Sequence, residues 1–314
     1  MASILNQPQF QDPDKAREYL ERQVWPNGPV CPHCGSVAAP YALNGARPGM
    51  YKCRDCREPF TVTVGTVFER SKVGLHLWMQ AVHWMSASKK GISAKQLERM
   101  LGVTYKTAWF MAHRIREAMK EGGTGMLGGG GSVVEADETY MVPKKDEKKN
   151  RAGHHRTKVV SLVSRDGKTR SFHVANIDAA NLKPILTAHI AADTHLMTDS
   201  ASHYRTMYTV FDAHESTNHS KGEYAKKSRK VKGRTVHSNT VEAYFSILKR
   251  GIVGTFHHVS EAHLQRYVNE FDFRFSNRES LGVNDTMRMN AALAGIGGKR
   301  LTYRRTDSQA ASLQ

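Results

Sequence analysis

Cysteine occurs four times in 314 residues, always between positions 31 and 56, in "CPHCGS" and "YKCRDCREPF". The spacing Cys31-x2-Cys34-x18-Cys53-x2-Cys56 constrains what this chain can fold into more than any other feature. Each C-x2-C turn presents two thiolates toward one point, and two such turns make the tetrahedral all-thiolate shell that Zn²⁺ prefers. Four sulfurs close that shell, so the metal is structural rather than catalytic, and His33 inside the first turn is a surplus ligand. Gly35 suits the turn beside the sulfur, and "FTVTVGTVF" after Cys56 alternates as a zinc-ribbon strand should. A disulfide framework is the weaker reading. The N-terminus has no basic stretch followed by an apolar one, as a signal peptide would, so the chain is expected in a reducing compartment.

Lys and Arg number 46 against 29 Asp and Glu, a formal charge of +17 with a pI near 9.8. A surface of that sign favours a polyanionic partner, because cationic side chains displace counterions from a phosphate backbone. No segment approaches the ~18 consecutive apolar residues of a membrane span. The protein is expected to stay in the compartment where it is made.

The length allows two or three modules. Residues 75–120 carry three helical stretches, with Leu75, Trp78, Met79, Val82 and Met85 at helical spacing in the first. The second, "SAKQLERML", opens on a Ser93…Gln96 capping box, and a turn at Gly102 leads to the third. Helix, short turn and helix is the helix-turn-helix pattern, whose second member enters the major groove by its N-terminal end. Thr104, Tyr105, Lys106 and Thr107 sit at that end and are the candidate DNA contacts. "EGGTGMLGGGGS" (121–132) holds seven glycines and reads as a flexible linker and domain boundary.

Directly after it, "VVEADETYM" (133–141) places Glu135, Asp137 and Glu138 in an apolar strand, where acids are disfavoured. Glu135 and Asp137 share one face, and Glu138 points to the other, toward the basic loop "PKKDEKKNRAGHHRTK". "KVVSLVS" and "TRSFHVA" flank an Asp-Gly turn, "NLKPILTAHI" is a short helix, and "THLMTDSASHY" is a strand ending at Asp199. Three antiparallel strands, a helix and a further strand allow Asp137 and Asp199 to meet on adjacent central strands. In "HSNTVEAYFSILKRG", Val241, Tyr244, Phe245, Leu248 and Ile252 form an apolar helical stripe. Asn239, Glu242, Ser246 and Lys249 form a polar one, so a helix docked on the sheet would aim Glu242 at a site. The basic stretch 221–234 before it is either a solvated loop or a track for DNA backbone. Tyr267, Phe271 and Phe275 mark a closing amphipathic helix.

Together these motifs resemble the transposases of the IS1595 family, the ISXO2-like group. The resemblance rests on "CPHCGS…YKCRDC", "FTVTVGTVFERSK", "VEADETYM", "TDSASHY" and the long "HSNTVEAYFSILKRGIVGTFHHVSEAHLQRYVNEFDFRFSNR", and covers roughly residues 15–280. It implies a multidomain α/β protein: zinc ribbon (14–70), helix-turn-helix module (71–120), Gly-rich linker (121–132), RNase H-like DDE domain of mixed sheet and flanking helices (133–280), and a weakly structured tail (281–314). It implies a metal set of Asp137, Asp199 and a third member within "HSNTVE", where subgroups carry either Asn or Glu. This chain has both, Asn239 and Glu242. Glu242 is preferred, because a carboxylate is a better Mg²⁺ ligand than an amide. Asn239 would then add a carbonyl or water contact, with Glu135 in support.

The implied chemistry is two-metal-ion hydrolysis at the element's ends and strand transfer into target DNA, with Mg²⁺ or Mn²⁺. Lys249 and Arg250 would contact phosphates. Terminal inverted repeats and target DNA are the implied partners, bound by a homodimer or larger assembly. No nucleotide cofactor is implied, and no P-loop is found. Two alternatives remain: a non-catalytic zinc-ribbon and helix-turn-helix regulator derived from a transposase, and an RNase H-like nuclease without strand transfer.

Overall fold

The computed structural model describes residues 3–43, 45, 47–122, 125–141 and 157–302. Its contacts divide the chain into two compact units: Met1–Ser88, Ile92–Glu121 and Asn284–Gln314 in one, Lys89–Gly91 and Gly122–Val283 in the other. The basic loop expected after "VEADETYM" lies almost wholly outside the described residues.

The first unit opens with α1 (Pro13–Val24), whose start is fixed by Asp12, its side chain accepting from the N–H groups of Asp14 and Lys15. Three two-residue strands, β1 (Tyr41–Ala42), β2 (Tyr51–Lys52) and β3 (Pro59–Phe60), pair antiparallel in that order. Trp25, Tyr51 and Phe60 pack on Cys31 and Cys53, so the ribbon's small core is built around its sulfurs. The alternation over "FTVTVGTVF" does not continue as a strand. After Phe60 the chain turns, with Gly65 at φ +70° and Thr66 Oγ1 donating to Thr63 O, and buries Val62, Val67 and Phe68 with an isolated Thr66–Gly297 bridge in place of a strand.

Helices α2 (Leu75–Ala87), α3 (Ala94–Leu101) and α4 (Tyr105–Met119) follow. The α3–α4 turn has Gly102 in the left-handed region at φ +65°, where a side chain would be strained, and Thr104 capping α4.

In the second unit the glycine-rich segment is docked rather than free. Leu127 bridges to Ile190 and is buried. Gly129 N–H donates to Thr194 Oγ1 (2.9 Å) and Gly130 N–H to Asp193 Oδ2 (2.7 Å). Gly128 sits at φ +79°, where a Cβ would strike the Thr194 side chain. The glycines here serve close approach and positive φ, so the expectation of a flexible linker is corrected for residues 125–132.

A five-stranded sheet follows, from β4 (Val133–Tyr140), β5 (Lys158–Ser164), β6 (Thr169–Val174), β7 (His195–Asp199) and β8 (Ala213–Thr217), in the order β6-β5-β4-β7-β8. β4–β5 and β5–β6 are antiparallel, while β4–β7 and β7–β8 are parallel. Alternation along the strands feeds two cores. Val134, Ala136, Leu162 and Leu196 pack against α5 (Ala179–His189) and the 3₁₀ segment Ser202–Thr209. Val159 and Val163, on the other face, pack against α6 (Asn239–Gly251) and α7 (Glu261–Ser276). All five residues of the expected α6 stripe are buried.

The stretch 221–234 is not a plain loop, because β9 (Lys226–Lys227) pairs antiparallel with β10 (Thr235–Val236). The chain then returns to the first unit with α8 (Asp285–Ala294), capped by Asn284 and packed on α1, α2 and α4. Met289 and Leu293 are buried there, and Tyr19 OH donates to Asn290 Oδ1 at 2.6 Å. The expectation of a weakly structured tail is therefore corrected for this segment, whose short apolar face is completed by three other helices.

Candidate active site

In the first unit, Cys31 Sγ lies 3.7 Å from Cys56 Sγ, and Cys34 Sγ 3.7 Å from Cys53 Sγ. All four sulfurs fall within 4.8 Å of one another. A tetrahedron with Zn–S bonds of about 2.3 Å has edges of about 3.8 Å, and a disulfide would need about 2.05 Å. The donor set therefore fits a closed zinc site. The two turns match: Gly35 N–H donates to Cys31 O at φ +76°, and Arg57 takes the left-handed place in the second turn at φ +62°. The backbone N–H of Cys56, then that of Asp55, pulls the Cys53 thiol down to about 6, while burial and the neighbouring sulfurs push Cys56 up to about 12, so the metal-free cluster retains protons that a metal would displace.

The second site sits at the C-terminal edge of the sheet. β4 and β7 run parallel, with Glu135 opposite Met197. Two residues beyond that last paired position on each strand stand Asp137 and Asp199. Oxygens of Asp137, Glu138 and Asp199 all lie within 4.8 Å of one another. Each acid is held. Asp137 Oδ1 accepts the Glu138 N–H (2.8 Å), and Asp199 Oδ1 accepts the Ala201 N–H (2.9 Å). Glu138 Oε2 accepts from Tyr204 OH (2.7 Å), and its Oε1 lies 3.2 Å from His203 Nε2.

Glu138 thus does not pair away from the site, as strand alternation alone suggests. β4–β7 pairing ends at Glu135, and the 3₁₀ segment after Asp199 draws the Glu138 carboxyl to the sheet edge. The sequence carried one signal for this, the His-Tyr pair that closes "TDSASHY".

Burial, then the charges of Glu138, Asp199 and Glu242, push Asp137 up to about 7. Crowded carboxylate oxygens with one member driven toward protonation are the donor set of a hard divalent cation, so these residues fit Mg²⁺ or Mn²⁺. A cation must displace that proton when pH lies below about 7. Mn²⁺ affinity is accordingly expected to fall about tenfold per pH unit below ~7, with one proton released per binding event. Calorimetric titrations at pH 6 and pH 8 in two buffers of different ionisation enthalpy check this, and equal affinity at both contradicts it.

Glu135 is fully buried and acts on α6. Its carboxylate accepts from Thr240 N (2.8 Å), Thr240 Oγ1 (2.9 Å), Val241 N (3.1 Å) and Arg165 Nε (2.9 Å). It neutralises the N-terminal end of α6, where backbone N–H groups lack helical partners. Arg165 also donates to Thr235 O and His237 O, tying down the approach to that helix. Glu135→Ala is expected to cost about 3–5 kcal/mol, because it strands Arg165 and the helix donors. Faster hydrogen exchange at the Thr240 and Val241 amides reports it, and unchanged protection there speaks against it.

α6 presents the remaining candidates. Asn239, Glu242, Lys249 and Arg250 are all exposed. Glu242 Oε1 accepts from Ser238 Oγ (2.9 Å) and lies 3.6 Å from His219 Nδ1, outside the three-carboxylate group, although its charge acts on Asp137. Asn239 donates its backbone N–H to His237 Nδ1 at 3.3 Å. Arg250 folds back on Ser246, donating to its carbonyl and hydroxyl. In the first unit, Thr104 and Thr107 bond each other (Oγ1···Oγ1 2.9 Å), while the half-exposed Tyr105 ring lies under Lys95. Among the described residues no helix is long and apolar enough to cross a membrane.

Comparison with known proteins agrees with this layout. Residues 126–276 match the ISXO2-like transposase domain, and residues 11–58 match the transposase zinc-ribbon domain. A relative from Halobacterium salinarum, described as an uncharacterized protein in transposable element ISH50, is 27% identical over 291 residues, covering 83% of this chain and 90% of its own length. A chain in the crystal structure of a pre-cleavage Mos1 transpososome aligns with 60% of this chain and 73% of its own at 12% identity; its TM-score of 0.17 is too low to compare folds. With both domains present in one chain, the protein belongs to the IS1595 family of ISXO2-like transposases.

Proposed function

We propose that the protein binds the ends of an insertion sequence and catalyses metal-dependent hydrolysis of the DNA phosphodiester there, followed by strand transfer into target DNA. The observation that carries this reading is the convergence of Asp137, Glu138 and Asp199 at the edge of the family-matched domain. The sheet order, three antiparallel strands continued by two parallel ones, supports an RNase H-like assignment. Divalent cations, when bound, supply Lewis-acid activation of the attacking oxygen and offset charge on the leaving oxygen.

The chain's own residues do the rest. Asp137 and Asp199 would hold a cation through carboxylate oxygens from adjacent strands, and Glu242 would add a third carboxylate from α6. Asn239 supplies a carbonyl or water contact one helical turn earlier. Lys249 and Arg250 take phosphate oxygens beside the cut. In hydrolysis, water oxygen bonds to phosphorus and the 3′ oxygen leaves. In strand transfer, that 3′-OH attacks a target phosphodiester and a target 3′ oxygen leaves, so no nucleotide cofactor is needed.

α3 and α4 act as a helix-turn-helix, with Thr104, Tyr105, Lys106 and Thr107 at the groove-entering end. The β9–β10 hairpin follows the backbone by charge. The active form on paired ends is a dimer or larger assembly, working on DNA in the bacterial cytoplasm.

The third ligand is tested by single-residue substitution. Glu242→Ala is expected to abolish cutting of labelled end DNA, and Asn239→Ala to retain part of it. The reverse result would assign the third position to Asn239 and leave the enzyme class standing. Cutting retained by both variants would remove α6 from the metal set.

A further inference from the structure

α6 does not simply stop at Gly251. It widens into a π turn, Ile252–Phe256, and closes at His257, whose φ +59° and ψ −49° are strained for a residue with a side chain. The His258 N–H donates back to Phe256 O at 2.6 Å, which makes a γ-turn centred on His257. Such strain persists only where the surroundings hold it. Here the Phe256 ring stands edge-on to Tyr267 and Phe271 of α7.

A second segment, Lys89–Gly91, belongs to the same compact unit. Two glycines let it lie directly on the end of α6. A Cβ on Gly251 would stand 2.8 Å from Lys90 O, and a Cβ on Gly91, at φ +88°, would stand 2.5 Å from the Phe256 ring. The main chains meet there, and Lys89 and Lys90 join Lys249, Arg250, His257 and His258, all of them exposed. Glu270 lies beneath Gly91, but it is buried and paired with Arg274. Among the described residues, none of Lys89, Lys90 and Lys249 is paired with a carboxylate. Lys249 and Arg250 suit the C-terminal dipole of α6 without any ligand. That dipole does not require two further cations packed against them. Four permanent positive charges gathered at one place repel, and an anion offsets the cost.

The cluster lies on the same helix as Glu242, whose charge acts on Asp137. From residue 242 to residue 250 the helix rises about 12 Å. We propose that duplex DNA runs along α6 from the cut and rests its backbone on a shelf of Lys89, Lys90, Lys249 and Arg250, about three to five base pairs away. Phosphate contacts carry no sequence but set the register of a duplex on a protein. The shelf therefore fixes which phosphodiester reaches Asp137 and Asp199. This rests on the transposase reading and adds to it a contact from a segment outside both family-matched regions.

The test uses full-length protein and duplexes of the element end, with binding followed by anisotropy over a range of salt. Lys89→Ala/Lys90→Ala is expected to lower the slope of log K against log[salt] by about 2, roughly 0.9 for each lost phosphate contact. Lys89→Arg/Lys90→Arg is expected to restore it. Methylphosphonates, which remove the phosphate charge, are then placed singly on the element side and on the flanking side of the cut. On one side, those about three to five base pairs away are expected to weaken the wild type more than either Lys89→Ala/Lys90→Ala or Arg250→Ala. The side that responds identifies the DNA on the shelf as element or flank. An unchanged salt slope, or methylphosphonate effects equal in the wild type and both variants, overturns the shelf and leaves the transposase reading intact. So does coupling confined to phosphates more than about ten base pairs from the cut. Failure of the wild type to bind or cut the ends removes both.

Discussion

Asp137→Asn is expected to reduce DNA cutting on the order of 10³-fold or more, the loss of several kcal/mol of metal-borne stabilisation, without unfolding the protein. The same crowding that equips the site for a cation penalises it without one. The folded Asp137 titrates at about 7 against an ordinary 3.8. Its folded pKa is raised, so the stability it contributes is present below ~4 and lost as pH rises through ~7. At pH 8 the metal-free site is at its least favourable, and Asn removes the charge while its Oδ1 can still accept the Glu138 N–H. The metal-free variant should therefore melt at or above the wild-type temperature at pH 8. A variant that lost activity and melting temperature together would make Asp137 a structural residue and remove the metal argument.

The largest stability effect belongs to the ribbon. Structural zinc sites carry about 10–16 kcal/mol of binding free energy that is also folding free energy. The strands around this one are two residues each, and its core is largely Trp25, Tyr51 and Phe60 packed on cysteine. Chelation, or Cys53→Ser, is expected to release about one zinc per chain and to disperse those rings. Elemental analysis and tryptophan emission check it. The three-carboxylate group lies in the other unit, so its Mn²⁺ binding should persist. Zinc retained by Cys53→Ser, with unchanged emission, would contradict the four-sulfur site.

What could be read in the sequence was local. The cysteine turns follow from spacing alone, and the α6 stripe from helical period. The pairing of Asp137 with Asp199 followed from counting strands and assuming they lie side by side, as β4 and β7 do. Glu138 could not be placed that way, because its position depends on where strand pairing stops and on Tyr204, 66 residues further along the chain. Glycines 128–131 read as freedom, whereas their positive φ values serve docking on Asp193 and Thr194. "FTVTVGTVF" alternates, but its ladder pairing stops at Phe60 and Thr66 makes an isolated bridge to Gly297, so period alone misassigned it. α8 did carry a signal, Asn284 before the helix and Gly295 after it, but its apolar face is short without the helices that cover it.

The most direct measurement is joining of labelled element-end DNA to an unlabelled target by the purified protein in Mg²⁺ or Mn²⁺. The expected result is cut ends followed by joined products in the wild type, and neither with Asp137→Ala or Asp199→Ala. Ends that are bound but never cut, with either metal, would contradict the catalytic claim and leave a DNA-binding regulator in its place.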